Sequence, residues 1–189
     1  MPYIPLEDHL PGISGLLEYR KDSAAPIREL TQELLRGQST LTEGERELIA
    51  AVVSSGNECR FCTTAHTATA DRLLGDPEIA KKGKENISTA PVSGKMKALL
   101  MIAKKTGESG NDITPDLIEN ARTAGATDIE IHDTVLIAAL FCLYNRYVDG
   151  LATVTPQDPA FYESLASRLV TNGYRRLPQG YDHLKNINR

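Results

Sequence analysis

Helix-starting and helix-ending residues recur along this chain at short intervals, and that punctuation constrains its fold more than any other feature. Thr42 and Glu45 have the T-x-x-E spacing of a capping box, in which each side chain accepts a hydrogen bond from the other residue's backbone N–H. They predict a helix over residues 43–55, with Gly56 supplying the left-handed residue that ends it. Upstream, Pro26 is expected to open a helix whose Ile27, Leu30 and Leu34 recur at helical spacing, and Gly37 to close it. Downstream, a helix is expected to begin near Glu58 or Cys59 and to run through Ala65, Thr69 and Leu73 to Gly75. Asp76 and Pro77 then take the cap and first-turn roles for a short helix that fades by Glu85.

The second half reads the same way. Ser93 caps a helix carrying Met96, Leu99, Leu100 and Ala103, which Gly107 stops before a polar, exposed loop over residues 107–114. Thr114 and Pro115 open a helix to about Ala124, ended by Gly125. Thr127 with Glu130 is a second capping box, starting a long helix to about Asp149. Ile131, Val135, Ala138, Ala139, Cys142 and Leu143 are expected among its buried side chains, and its apolar flanks predict burial on more than one side. Asp158 and Pro159 begin a last helix through Phe161, Leu165 and Leu169 to near Gly173. The basic residues 174–189 read as an irregular tail across the surface or a neighbouring subunit. No stretch alternates as a strand does, so the expectation is all-α.

With 189 residues, 41% of them hydrophobic, the chain is long enough for one substantial core, and residues 1–189 are expected to form a single domain. A net charge of −4 gives no electrostatic reason to expect nucleic acid or an anionic membrane as partner. The absence of Trp argues against stacking platforms for single strands. The first ten residues lack the basic start and apolar run of a secretory signal, and residues 134–143 are too short to span a bilayer. Three cysteines, two of them in one C-x-x-C, do not make a secreted disulfide framework, so a cytoplasmic protein is expected.

Residues 57–70 carry the chemistry, N-E-C-R-F-C-T-T-A-H-T-A-T-A. Two thiols separated by two residues at a helix start close a disulfide with little backbone movement. The free N–H groups there, and Arg60 nearby, are expected to favour a thiolate, the reactive form. His66 lies four residues beyond Cys62, on the same helix face, and Glu47 lies on the preceding helix, twelve positions before Cys59. A helix, a glycine turn and a second helix form a hairpin that would set Glu47 beside the pair, where a carboxylate orients His66 and passes protons. Taken singly, the C-x-x-C is either redox-active or half a metal site, and Glu47 and His66 read as ordinary helix residues. Cys142 reads as a small buried hydrophobe, His132 as an ordinary helix residue, and His9 and His183 as tail residues.

The pattern E-x11-C-x-x-C-x3-H formed by Glu47, Cys59, Cys62 and His66 resembles the alkylhydroperoxidase D (AhpD) core of the carboxymuconolactone decarboxylase superfamily. The stretch Asn145-Arg146-Tyr147-Val148-Asp149-Gly150-Leu151 resembles the N-R-x-x-D-G-L segment of its peroxidase-related subgroup, and the resemblance covers roughly residues 34–173. It implies an AhpD-like helical fold, assembly into homotrimers or homohexamers, and thiol-dependent reduction of a hydroperoxide substrate without cofactor or metal. It implies roles too: Cys62 as peroxidatic thiol, Cys59 as proton donor and resolving thiol closing a Cys59–Cys62 disulfide, and Glu47 and His66 as proton relay. The implied reductant is a dithiol on a lipoylated or thioredoxin-like protein. Arg60 and Phe61 stand where the best-known members carry a histidine, and guanidinium does not shuttle protons near neutral pH, which implies a shorter relay. The decarboxylase branch typically lacks the C-x-x-C, so lactone decarboxylation is not expected. Two other readings use the same residues: a thiol–disulfide oxidoreductase or redox sensor, and a zinc-binding structural protein on Cys59, Cys62, His66 and a fourth ligand.

Overall fold

The computed structural model describes residues 1–178, 180 and 181. Among them are nine α-helices, two short 3-10 turns and no strand. The helices are α1 (Ile13–Tyr19), α2 (Lys21–Arg36), α3 (Glu43–Gly56), α4 (Arg60–Leu74), α5 (Pro77–Glu85), α6 (Gly94–Glu108), α7 (Pro115–Thr123), α8 (Asp128–Gly150) and α9 (Pro159–Asn172). The all-α expectation therefore stands. No described helix is long and apolar enough to cross a membrane.

The caps explain most boundaries. Both capping boxes form, Thr42 with Glu45 at α3 and Thr127 with Glu130 at α8. Asp76, Ser93, Thr114 and Asp158 each accept a backbone N–H in the first turn of the helix they precede. Each such cap satisfies a donor that the helix itself leaves unpaired, and contributes about 1 kcal/mol.

Helix α3 runs through the middle, packed on α4, α5, α6 and α8. Its run Leu48–Ile49–Ala50–Ala51 has no exposed surface, because helices cover it on several sides. The main core joins α3, α6 and α8 through Leu48, Leu99, Leu100, Ile137 and Phe141. A second, smaller cluster gathers Leu16, Phe61, Ala65, Val148 and Tyr162 around Cys59 and Cys62.

Several boundaries differ from the expectation. Pro26 does not open α2, which starts five residues earlier; Pro26 is exposed, so the carbonyl its ring cannot satisfy faces water. Gly56 is the last residue of α3 and not left-handed; that conformation falls to Glu58, at φ 59°. Helix α1 has only seven residues, too short for its Ile13, Leu16 and Leu17 to stand out as periodic. It starts after Gly12, at φ 57°, where an added Cβ would lie 2.3 Å from the Phe61 ring.

On α8 the buried face is Ile137, Ala138, Phe141, Tyr144, Asn145 and Val148. Ala139 and Leu143 are exposed, and Val135 and Cys142 half-buried. An apolar run on a long helix does not reveal which stripe meets the core, and here the stripe is set by α3 and α6. The segment after α9 departs most from the expected surface tail, because Tyr174 turns inward to the site described below. His183 and the rest of residues 182–189, with Gln179, lie outside the described residues.

Candidate functional site

The tight turn between α3 and α4 sets the two cysteines. Cys59 is the N-cap residue of α4, its N–H bonded to the Ser54 carbonyl at 3.1 Å, and Cys62 lies in the first helical turn. Both are buried and reduced. The turn is braced from α8: the Asn145 amide oxygen accepts from Asn57 Nδ2 at 2.9 Å, and Asn145 Nδ2 donates to Ser54 Oγ at 3.1 Å. Asn145 also hydrogen-bonds Cys62.

One turn further along α4, His66 reaches α3. Its Nδ1 meets Glu47 Oε2 at 2.7 Å. Glu47 has no exposed surface and is ringed by donors. Arg36 Nη2, from the last turn of α2, donates to Oε1 at 2.6 Å, and Tyr174 OH donates to the same oxygen at 2.5 Å. Tyr174 OH also stands 3.4 Å from His66 Nδ1. The rings add to the cage: the His66 edge meets Phe141 at 4.4 Å between centroids, and the Arg36 guanidinium sits 5.1 Å over the Tyr174 ring.

This setting explains the protonation states. Burial alone would raise the Glu47 carboxyl, but His66, Arg36 and Tyr174 together hold it below its ordinary value. Burial, then the Glu47 charge, push the Tyr174 phenol well above 10, so it stays a donor. Burial opposes the Arg36 charge, yet Glu47 prevails and raises it.

Cys62 corrects an expectation. Its hydrogen bond with Cys59, followed by burial, pushes the thiol well above its ordinary value, against the smaller opposing effect of Asn145. The helix N-terminus does not offset the Cys59 contact and burial, and Arg60 is exposed. The resting form is therefore the thiol, and deprotonation needs a base.

Cys62, His66 and Tyr174 line one cavity of about 60 Å³ with apolar walls from Phe61, Ala65 and Phe141. Arg28, Arg168 and Tyr181 also border it. A larger groove of about 600 Å³, between α2 and Arg175–Arg176, is lined by charged side chains away from the thiols and holds none of this chemistry. Among the described residues no three His, Cys, Asp or Glu side chains gather as metal ligands.

Of the residues singled out in the sequence, Glu47 and His66 are in direct contact, and Cys62 shares the cavity that His66 lines, with Cys59 beside it. His132 is exposed and bonded to Asp133, and Cys142 is half-buried, its sulfur 3.5 Å from Asn57 Nδ2. Within the N-R-x-x-D-G-L segment Asn145 bonds the turn that holds the thiols and Val148 packs in the cluster around them; Arg146 and Asp149 are exposed. Arg36 and Tyr174 carried no sequence signal: one reads as a helix-end cation, the other lies 127 residues from Glu47.

The carboxymuconolactone decarboxylase family model matches residues 22–79, the segment that holds Glu47, Cys59, Cys62 and His66. No curated protein shows significant similarity to the chain. Among solved structures, an uncharacterized peroxidase-related protein from Silicibacter sp. TM1040 is 27% identical, covering 87% of this chain and 81% of its own, with a TM-score of 0.73. An alkylhydroperoxidase AhpD core described as an uncharacterized peroxidase-related protein from Ralstonia eutropha JMP134 is 25% identical, covering 82% of this chain and 80% of its own, with a TM-score of 0.74. In its helical fold and in residues 22–79, the chain is similar to AhpD-like proteins of the superfamily that contains the carboxymuconolactone decarboxylases.

Proposed function

We propose that the protein is a thiol-dependent peroxidase in which Cys62 attacks a hydroperoxide, Cys59 resolves the product, and Glu47 and His66 handle the protons. The observation that supports this best is the shared cavity: Cys62, one thiol of a buried pair, and a carboxylate-backed imidazole border the same small space. The cavity admits a molecule of a few heavy atoms, such as the reacting end of a hydroperoxide.

His66 takes the Cys62 proton, and the thiolate attacks the outer peroxide oxygen. The O–O bond breaks, the alkoxide leaves as an alcohol with the proton returned by His66, and Cys62 becomes a sulfenic acid. The Cys59 sulfur then attacks Cys62, displacing water and closing the disulfide. In total two thiols are oxidised and one hydroperoxide is reduced to alcohol and water. A dithiol on a lipoylated or thioredoxin-like protein restores the thiols by exchange.

Reduced, metal-free protein treated with one equivalent of hydrogen peroxide or cumene hydroperoxide tests the reading by mass spectrometry. A Cys59–Cys62 disulfide is expected to form faster than free dithiothreitol is oxidised, and Cys62→Ser to abolish turnover. Full activity in that variant, or no acceleration over the free thiol, overturns it. The second reading, a thiol–disulfide oxidoreductase, draws on the raised Cys62 thiol. A reduced form that gains little from thiolate stabilisation is readily oxidised, which suits a reducing dithiol too. Rapid oxidation by a disulfide with none by peroxide would select it.

A further inference from the structure

Glu47 is bound more heavily than a carboxylate needs to be to orient one histidine. Its Oε2 serves His66 alone, while Oε1 takes both the Arg36 guanidinium and the Tyr174 hydroxyl. The distinction matters for proton transfer. A buried carboxylate facing only an imidazole draws a proton onto it, and an imidazolium has no lone pair for a thiol proton. Arg36, which also pairs with Glu43 at 3.4 Å, offsets part of the carboxylate's charge, and the Tyr174 hydroxyl occupies it further. His66 then faces a carboxylate whose pull on a second proton is weakened. The hydrogen bonds of His66 leave from Nδ1, so Nε2 is the nitrogen left for the cavity it shares with Cys62.

We propose that Tyr174, together with Arg36, is a positioning residue for the thiol chemistry: the two hold Glu47 as an anion through Oε1 and thereby keep His66 neutral, protonated on Nδ1, with Nε2 open toward Cys62. This rests on the peroxidase reading of the site. The proton that Cys62 gives up goes to Nε2, the Nδ1–H stays on Glu47, and the same proton later joins the departing alkoxide. Neither Tyr174 nor Arg36 touches substrate in this scheme.

Other ionisable groups near the ring fit the same account. Cys62 on α4 is the proton source. Tyr144 on α8 is bonded to Thr31 at 2.6 Å, and burial raises it to about 12, so it keeps its proton. Arg28 on α2 is paired with Glu18 at 2.9 Å, and Arg168 on α9 lies over the Tyr181 ring at 5.6 Å. Only Arg36 and Tyr174 are bonded to the carboxylate that His66 uses.

The test uses the reduced full-length chain and Tyr174→Phe, which keeps the ring beside His66 and removes only the hydroxyl. Two quantities are read: the imidazole nitrogen resonances of His66, assigned by their loss in His66→Asn, and the pH dependence of single-turnover disulfide formation with hydrogen peroxide. Wild type is expected to show the Nδ1–H tautomer at neutral pH. In Tyr174→Phe the doubly protonated form grows, and the acid limb of the rate profile moves up by about one pH unit. The rate on the acid limb then falls about tenfold, by less at pH 7, and recovers at higher pH.

Arg36→Gln is expected to move the limb the same way and further, while Arg36→Lys keeps most of the wild-type profile. That pair decides the matter if Tyr174→Phe does not fold. A residue that only supports the fold would lower the amplitude or the melting temperature and leave the limb in place. Wild-type resonances and an unmoved limb in Tyr174→Phe and Arg36→Gln would overturn the inference. If wild type shows no peroxide-driven oxidation while the His66 resonances still respond, the peroxidase reading falls and the positioning role stands.

Discussion

A carboxylate with no exposed surface survives as an anion only where donors replace its water, and Glu47 has three. The stability of the site is concentrated there as much as its chemistry. Glu47→Gln leaves the buried Arg36 guanidinium with only the more exposed Glu43, at 3.4 Å, as counter-charge and turns one acceptor oxygen into a competing donor. The expected loss is about 3–5 kcal/mol, read as a lower urea midpoint at pH 7. A loss under 1 kcal/mol would mean that the buried charge is relieved some other way. The sign with pH follows from the depressed Glu47 carboxyl: its contribution is present above the ordinary carboxylate value and is lost as pH falls through the lower folded one.

At the scale of elements, the start of α8 is held by one side chain. Glu130 closes its own capping box on Thr127, and its Oε1 accepts from Thr40 at 2.8 Å and from Lys95 of α6 at 2.7 Å. Burial opposes this charge, but Lys95, Thr127 and Thr40 outweigh it and depress the carboxyl to about 2. The folded value lies below the unfolded one, so the stabilisation is complete above pH 4.5 and disappears toward pH 2. It amounts to roughly 3 kcal/mol at neutral pH. In Glu130→Gln that amount should be missing at pH 6, and its gap to wild type should shrink as pH is lowered to 3. A constant gap in urea titrations would show that the capping geometry, not the charge, carries the effect. The turn from α3 to α4 is a second such junction, where left-handed Glu58 is a strained choice tied down by Asn57 and Asn145.

For the whole molecule, the helices enclose the thiols from one side each: α4 carries them, α8 braces them, and the segment after α9 closes over the Glu47 cage through Tyr174. That segment is anchored at the Tyr174 backbone, whose N–H donates to Gln32 Oε1 at 2.8 Å, and by the Arg176–Glu18 pair at 2.8 and 2.9 Å. Ile129 and Leu143 remain exposed on α8, at 59% and 45% of their surface. Self-association into homotrimers or homohexamers is what the resemblance to AhpD-like proteins implies. Analytical ultracentrifugation is expected to give an assembly of three or six chains at micromolar concentration, and a monomer there would remove that implication.

What the sequence determined by itself is local. Caps at Thr42, Asp76, Ser93, Thr114, Thr127 and Asp158 act within three residues, and E-x11-C-x-x-C-x3-H lies within twenty, so both are legible without a fold. The tertiary structure decided what depends on distant segments meeting. Pro26 inside a helix, left-handed Glu58 and the choice of stripe buried on α8 follow from which surfaces face solvent and which face α3 and α6. Arg36 and Tyr174 enter the site only because the end of α2 and the residues after α9 converge on a buried carboxylate. The raised Cys62 thiol has the same origin: helix-end electrostatics are visible in a motif, whereas the Cys59 contact and the burial that raise the thiol are properties of packing.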